Sequence, residues 1–187
     1  MSEKFLNQKK SNTFEKIKKG EEMYQATTIG NFFIEAGIQE ERMITPMQVV
    51  KLVYIAHGWF LAFTGKSLID EGIQAWMYGP VVSSVYHTFK RYGRQEINNL
   101  ELGHRKLLNE WGSLQEHEDI KQFLQIVWEK YGGFTGVELS SLTHQTGTPW
   151  YIVWEERGGK EQRGAVIPNY LIQEHFAEIM KMQFGHA

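Results

Sequence analysis

The sequence predicts a mainly α-helical protein: a single compact domain of six to seven helices with a short β-hairpin or strand element. Apolar residues recur at three- and four-residue spacing along most of the chain. Threonine caps, two of them followed by proline, begin several of these runs, and glycines end them. Residues 73–78 alternate as a short strand does. The length of 187 residues fits one domain, and the 42% hydrophobic content is enough for its core.

The composition restricts the environment and the partners. Without cysteine, the chain has no disulfide, thiolate nucleophile or cysteine-ligated zinc site. No apolar run approaches the roughly 18 residues of a membrane span, and no secretory signal is visible, so the sequence predicts a cytoplasmic protein without a membrane partner. A net charge of −2 argues against nucleic acid as a partner. The basic cluster of Lys90, Arg91 and Arg94 is interpreted as complementing a helix C-terminus. The alternative of a DNA-binding autorepressor would need a basic face, and this cluster is the only feature of the sequence that supports it.

Two parts of the chain are distinguished. Residues 1–22 have few apolar positions and no sustained period, and we predict that they form an N-terminal extension. Residues 23–187 are predicted to form the folded domain. Purine-rich codons for residues 19–22 would resemble a bacterial ribosome-binding sequence, so a second hypothesis places the native start at Met23.

The first two helices are predicted from their ends. A helical pattern begins near Tyr24 and ends at Gly37. The next helix begins at residues 45–48, where Thr45 caps, proline takes the first helical position and Gln48 completes a capping box. Gly65 is predicted to end this second helix.

The β element is predicted between the second and third helices. Residues 73–78 form the strand, and residues 66–69 are its predicted hairpin partner. Gly79 and Pro80 are expected to turn the chain; a glycine before proline favours extended geometry but can also take positive φ, and a left-handed Gly79 would make substitution by valine costly. A third helix is then predicted over residues 81–92, with Tyr86 on its buried face.

The second half of the chain contains one ambiguous stretch and several clear helices. Residues 94–115 show no clear pattern and are predicted to be the loosest part of the domain. Threonine caps are predicted at Thr135, with Glu138, and at Thr148, with Pro149. The predicted helices span residues 116–131, a short segment ending near His144, residues 150–155 and residues 168–182.

The polar residues do not predict catalysis. The seven histidines are scattered, with no spacing that places two imidazoles on one helical face, and no glycine-rich phosphate loop or nucleophile elbow occurs. We therefore predict no catalytic, cofactor-binding or metal-binding residues. The alternative is a hydrolase with a dispersed His/Glu site, which would require His57, His87 or His144 to come together in the fold.

Aromatic residues are the more informative group. They are dense between Trp59 and Tyr92, too dense for all of them to be buried, and exposed aromatic rings are the usual anchors of protein–protein interfaces. Trp76 and Tyr78 are the first candidates, since both are expected on one face of the strand. The complete set of predicted partner-binding residues is Trp76, Tyr78, Pro80, Tyr86, Lys90 and Arg91.

Four segments occur in a distinctive order: KLVYIAHGW at residues 51–59, WMYGPV at 76–81, VYHTFKRYG at 85–93 and LSSLTHQTGTPW at 139–150. Together they resemble the Panacea antitoxin domain family, also called SocA-like or GepA-like. The resemblance extends from Tyr24 to the last helix. His57 is a departure, since it stands where the family usually has glutamine.

This resemblance implies a function that the residue patterns alone do not. The resemblance implies a type II antitoxin, of the kind found in bacteria, their phages and mobile elements. Such an antitoxin neutralises a toxin that is encoded by a neighbouring gene. The expected partner is therefore a cognate toxin protein, bound directly. In the SocA-type alternative, the antitoxin is a proteolytic adaptor that delivers its toxin to the ClpXP protease.

Overall fold

The computed structural model describes residues 23–184, which form eight α-helices and a three-stranded antiparallel sheet. The predicted mainly helical fold is confirmed, with eight helices in that range in place of six or seven. The sheet has the spatial order β2-β1-β3. Its strands are β1 (Ile73–Trp76), β2 (Gly79–Val82) and β3 (Val166–Ile167). The helices are α1 (Ala26–Gln39), α2 (Pro46–Thr64), α3 (Ser83–Phe89), α4 (Arg105–Glu116), α5 (Glu118–Tyr131), α6 (Gly136–Thr143), α7 (Pro149–Tyr151) and α8 (Asn169–Phe184).

Helix α2 is the centre of the domain and contacts α1, α3, α5, α6 and α8. Its ends confirm the predicted signals: Thr45 and Gln48 form a capping box, and Gly65 ends the helix at φ 73°. Every residue from 49 to 61 is buried, because neighbouring elements cover all of its faces. Within residues 23–184, α2 alone is long and apolar enough to cross a membrane, but 72% of that window is buried inside the protein, as in a core helix.

Helices α2 and α8 approach each other closely at Gly58. A Cβ atom at this position would overlap the ring of Phe176, and even the third-nearest ring atom would lie only 2.7 Å away. The same ring packs edge-on against Tyr54 and Trp59, with centroid distances of 5.9 and 5.3 Å. Gly58 therefore permits α8 to pack on the core helix, since any larger side chain would separate the two.

The beginning of the domain differs from the prediction. Tyr24 is not helical: it forms a parallel bridge with Ile69, and its amide donates to the carbonyl of Leu68 at 2.9 Å. Residues 66–69 are therefore not the hairpin partner of β1. Helix α1 also continues past Gly37 to Gln39. Gly37 does not end the helix; a Cβ atom there would lie 2.8 Å from the carbonyl oxygen of Arg42, so the glycine permits a close approach of the chain. The predicted extension, residues 1–22, lies outside the described residues.

The second half of residues 94–115, where the sequence shows no clear pattern, is helical. Helix α4 begins after His104, whose imidazole accepts a hydrogen bond from the amide of Leu107. Leu107, Trp111 and Leu114 are buried at helical spacing. Ile97, before the helix, is also buried and donates its amide to Ile44. This stretch thus contributes one face of α4 and Ile97 to the buried interior, while most of its other residues are exposed or half-buried.

His57 is fully buried in α2 and does not lie at the edge of a helix face. Its Nε2 is 3.1 Å from the amide oxygen of Asn169, and its Nδ1 has no hydrogen-bond partner among residues 23–184. Burial lowers the pKa of His57 to about 4, and the hydrogen bond with Asn169 opposes this shift only in part. The folded protein therefore holds the imidazole in its neutral form.

His57 is expected to make the protein sensitive to acid. Between pH 6.5 and about 4, the imidazole binds a proton in the unfolded chain but not in the folded one. Stability therefore falls as the pH decreases, by about 1.4 kcal/mol per pH unit from this group. Urea unfolding across this range, compared with His57→Gln, isolates the contribution because the variant lacks the imidazole. Equal pH slopes in the two proteins would contradict the assignment.

Candidate functional site

The candidate site is built around the hairpin formed by β1 and β2. Trp76 pairs with Gly79, so Met77 and Tyr78 form a two-residue turn, which we call the hairpin tip. Tyr78 is therefore in the turn and not on the strand, and residues 79–82 are a strand and not the start of a helix. The turn residues have negative φ, and Gly79 follows at φ 104°, a position where hairpins favour glycine. Of the two conformations that the sequence allows at Gly79, the structure therefore has the one with positive φ.

Pro80 occupies a position where its missing N–H is not needed. Its partner across the hairpin is Ala75, whose amide donates to Ala165 on the opposite side at 2.8 Å. The backbone groups of Pro80 therefore point away from β1, toward the outer side of β2. The carbonyl oxygen of Pro80 accepts a hydrogen bond there from Nζ of Lys51, at 3.1 Å.

Lys51 is a buried cation beneath the turn. Its Nζ also donates to the carbonyl oxygen of Tyr78 at 2.5 Å, so one amine binds the backbone on both sides of Gly79. Among residues 23–184, no carboxylate forms an ion pair with Lys51. Burial lowers the pKa of Lys51 to about 7. Lys51 therefore makes polar contacts inside the protein, where burial disfavours the charged form of its amine.

Helix α6 supplies two further contacts to the turn. The capping box of Thr135 and Glu138 starts this helix, which then brings Ser140 to the hairpin. The Ser140 hydroxyl donates to the carbonyl of Tyr78 at 3.1 Å. The ring of His144 lies between two carbonyl oxygens, with Nδ1 2.6 Å from Ser140 and Nε2 3.3 Å from Met77. A neutral imidazole donates to one of these two acceptors.

Helix α7 completes the support of the hairpin. Thr148 caps α7 and Pro149 begins it, as predicted, and this places Trp150 with its indole N–H on the carbonyl of Trp76 at 2.8 Å. The Trp150 ring packs against His144, with centroids 3.9 Å apart, and stacks on Trp154 at 5.8 Å. Four carbonyl groups of the hairpin thus lie within hydrogen-bonding distance of side-chain nitrogen or hydroxyl groups from α2, α6 and α7. We call Lys51, Ser140, His144 and Trp150 the supporting residues.

Comparison with known proteins identifies the family. The model of the SocA-like antitoxin, Panacea domain, matches residues 49–151, which include the hairpin and all four supporting residues. The chain belongs to the SocA-like Panacea domain family. Antitoxin SocA of Caulobacter vibrioides (strain NA1000 / CB15N) is 27% identical over 153 residues, 81% of each chain. No solved structure matches this chain significantly.

The hairpin tip of this Panacea domain exposes two adjacent apolar side chains. Met77 is 61% exposed and Tyr78 is 66% exposed. Trp76 is half-buried: its ring packs edge-on against Tyr86 at 4.9 Å. Tyr86 is exposed, so its predicted burial is wrong. Pro80 is buried and can contribute only to the shape of the turn.

The two basic candidates lie beyond α3, in a 3-10 turn over Lys90–Tyr92. Lys90 and Arg91 are exposed. Arg91 forms an ion pair with Glu101 at 2.5 Å, and its guanidinium group lies over the ring of Tyr92, 5.2 Å from the centroid. These contacts fix the Arg91 side chain at the end of α3. Exposed ion pairs of this kind contribute little to stability.

The histidines of the hydrolase hypothesis have separate surroundings in the Panacea domain. His57 contacts Asn169 in the core, His87 packs beside Tyr86 at 5.3 Å, and His144 belongs to the support of the hairpin. Among residues 23–184, no group of three or more histidine, aspartate or glutamate residues could hold a metal ion.

Sequence reasoning missed Lys51, Met77 and Ser140. For Lys51 a signal existed, since a lysine in the middle of a 19-residue apolar helix must find acceptors inside the protein. Met77 was overlooked because it was expected within a strand. Ser140 gives no signal in the sequence, because its role depends on how α6 packs against the hairpin.

Proposed function

We propose that the protein is the antitoxin of a type II toxin–antitoxin pair, and that it neutralises a co-encoded toxin in the cytoplasm by direct binding through the hairpin tip. The family supports the antitoxin role. The observation that carries the binding site is the pair of adjacent, largely exposed residues Met77 and Tyr78, on a hairpin whose carbonyl groups accept hydrogen bonds from side chains of the surrounding helices. The proposal needs no cofactor and assigns no chemical step to the protein.

A supported tip suits tight binding for energetic reasons. Aromatic residues that become desolvated at the centre of an interface contribute most of the binding energy. A turn that is already ordered loses little conformational entropy when the partner binds. Trp76 and Tyr86 would extend the apolar contact beside the tip, and Lys90 and Arg91 would form part of a polar rim. The toxin surface that fits is an apolar depression wide enough for one aromatic ring.

Replacement of Tyr78 by alanine is expected to weaken toxin binding by about 2–4 kcal/mol, the size of an interface hot spot. The fold should be unchanged because the ring is largely exposed. Tyr170→Ala is the matched control: Tyr170 is 51% exposed on α8, its hydroxyl contacts Arg157 and not the hairpin, and the change should leave binding intact. Calorimetry with the purified toxin and growth rescue on co-expression measure the effect. Equal affinities of the two variants would contradict the proposed site.

The proteolytic adaptor is a different outcome of the same co-expression experiment. Under direct neutralisation, the toxin accumulates in an inactive complex whether or not ClpXP is present. An adaptor would instead lower the amount of toxin, and would do so only in cells that contain the protease. Immunoblotting of the toxin in strains with and without ClpXP distinguishes the two mechanisms.

We further propose that residues 23–187 are the toxin-binding domain and residues 1–22 an extension to it.

A further inference from the structure

We propose that Lys51 is a positioning residue for toxin binding, which holds the hairpin tip in the conformation that the toxin contacts. This inference rests on the proposed function. It extends that function from the exposed residues to a buried side chain that no partner can reach. The juxtaposition that carries it is one amine donating to the carbonyl groups on both sides of Gly79.

The geometry of the turn requires a donor at this point. The carbonyl oxygens of Tyr78 and Pro80 both face Nζ of Lys51, at 2.5 and 3.1 Å, and the residue between them has φ 104°. Without the lysine the Tyr78 carbonyl would keep only Ser140, and the buried Pro80 carbonyl would lose the donor that Lys51 supplies. A buried carbonyl without a donor is costly, so the turn would gain by opening toward water. An apolar side chain could fill the same space in α2, but it would not bind these two oxygens.

The other supporting residues do not duplicate this role. Ser140 reaches only the Tyr78 carbonyl, His144 lies near that of Met77, and Trp150 binds that of Trp76. All three contact the chain before Gly79. Among these donors, Lys51 alone also binds the carbonyl of Pro80, and it therefore ties the turn to the start of β2.

Stability alone does not account for a lysine here. A buried ammonium group without a carboxylate partner opposes folding, and this cost offsets part of what its hydrogen bonds to the turn contribute. The lowered pKa of Lys51 is in line with this cost. A residue that costs stability and yet fixes an exposed turn is expected to matter for what the turn binds.

The test is a double-mutant cycle with Lys51→Met and Tyr78→Ala in the full-length protein. Lys51→Met is expected to melt near the wild-type temperature, because relief from burying a charge offsets the lost hydrogen bonds, while hydrogen–deuterium exchange of residues 73–82 rises in the free protein. Its affinity for the toxin should fall by about tenfold or more. In the Tyr78→Ala background, the same change should weaken binding by less than about twofold, because the ring that Lys51 positions is gone.

Several outcomes would overturn the inference. Unchanged affinity of Lys51→Met, or additive losses in the cycle, would show that Lys51 does not act through the tip. A loss of affinity that follows the unfolded fraction would show a structural role only. If Lys51→Met does not fold, Lys51→Gln, which keeps an N–H donor, replaces it in the cycle, and failure of both would make the lysine a determinant of the fold. An ineffective Tyr78→Ala would overturn the proposed binding site instead, and the exchange measurement would still report what Lys51 does to the turn.

Discussion

Replacing Gly79 by valine is expected to lower the free energy of unfolding by roughly 3–5 kcal/mol and to abolish toxin binding. Two effects add at this position. A β-branched residue is strained at φ 104°. Its Cβ would also lie 2.9 Å from the Thr143 hydroxyl, 3.0 Å from the His144 ring and closer still to Nζ of Lys51. The turn and its support cannot both remain in place. Urea unfolding and calorimetry with the toxin measure the two losses.

Gly158→Val separates strain from overlap in this experiment. Gly158 has a comparable positive φ of 71°, but a Cβ atom there would meet nothing within 4 Å. The control should therefore lose only about 1–2 kcal/mol, the cost of the left-handed conformation. It should also bind the toxin normally. Similar losses in both variants would mean that the close contacts around Gly79 have no energetic importance.

Replacing Gly58 by valine is expected to cost about 3–4 kcal/mol of stability, above the usual range for overpacking. The new side chain would occupy the space of the Phe176 ring, and both helices are anchored in the core. Neither can move without opening the contacts of α2 with α8. Thermal and urea unfolding measure the loss, which should affect toxin binding only through the fraction of folded protein.

Phe176→Leu tests whether the overlap with this ring is the cause. The smaller side chain leaves space beside position 58, so the double variant with Gly58→Val should be more stable than the sum of the single losses implies, by about 1 kcal/mol or more. Additive losses would place the cost in the helix itself, for example in the lower helix propensity of valine.

The helix ends were predictable because their signals are local. The capping boxes at Thr45 and Thr135, the Thr148 cap and the glycine end of α2 all form as the sequence indicates. The errors arose where a residue has a tertiary role. Gly37 was interpreted as a helix end but lies in a close contact, and the turn attributed to Gly79 and Pro80 lies just before them.

The candidate site was predictable in its exposed part only. Aromatic density and the position of Tyr78 indicated an anchor, and Tyr78 is exposed. The support of the hairpin was not predictable, because it joins residues that are distant in sequence. Trp150 donates to the carbonyl of Trp76, which lies 74 residues earlier in the chain, and no spacing rule relates the two positions. Helix α4 was missed for a different reason. Its buried residues recur at helical spacing, but histidine is not among the residues that usually cap a helix N-terminus, so the start of the helix gave no signal.

The backbone groups of Pro80 lie on the side of β2 that faces away from β1, and this affects how partners can bind. An exposed edge strand invites another chain to continue the sheet by main-chain hydrogen bonding, which leads either to strand-swapped complexes or to aggregation. The edge of β2 is not exposed in this way: all four of its residues are buried, Pro80 has no amide to offer, and Lys51 already occupies the Pro80 carbonyl. A binding protein therefore cannot extend the sheet at this point and must recognise the turn through its side chains. Recognition of that kind requires no free strand from the partner, so it places no condition on the partner's secondary structure.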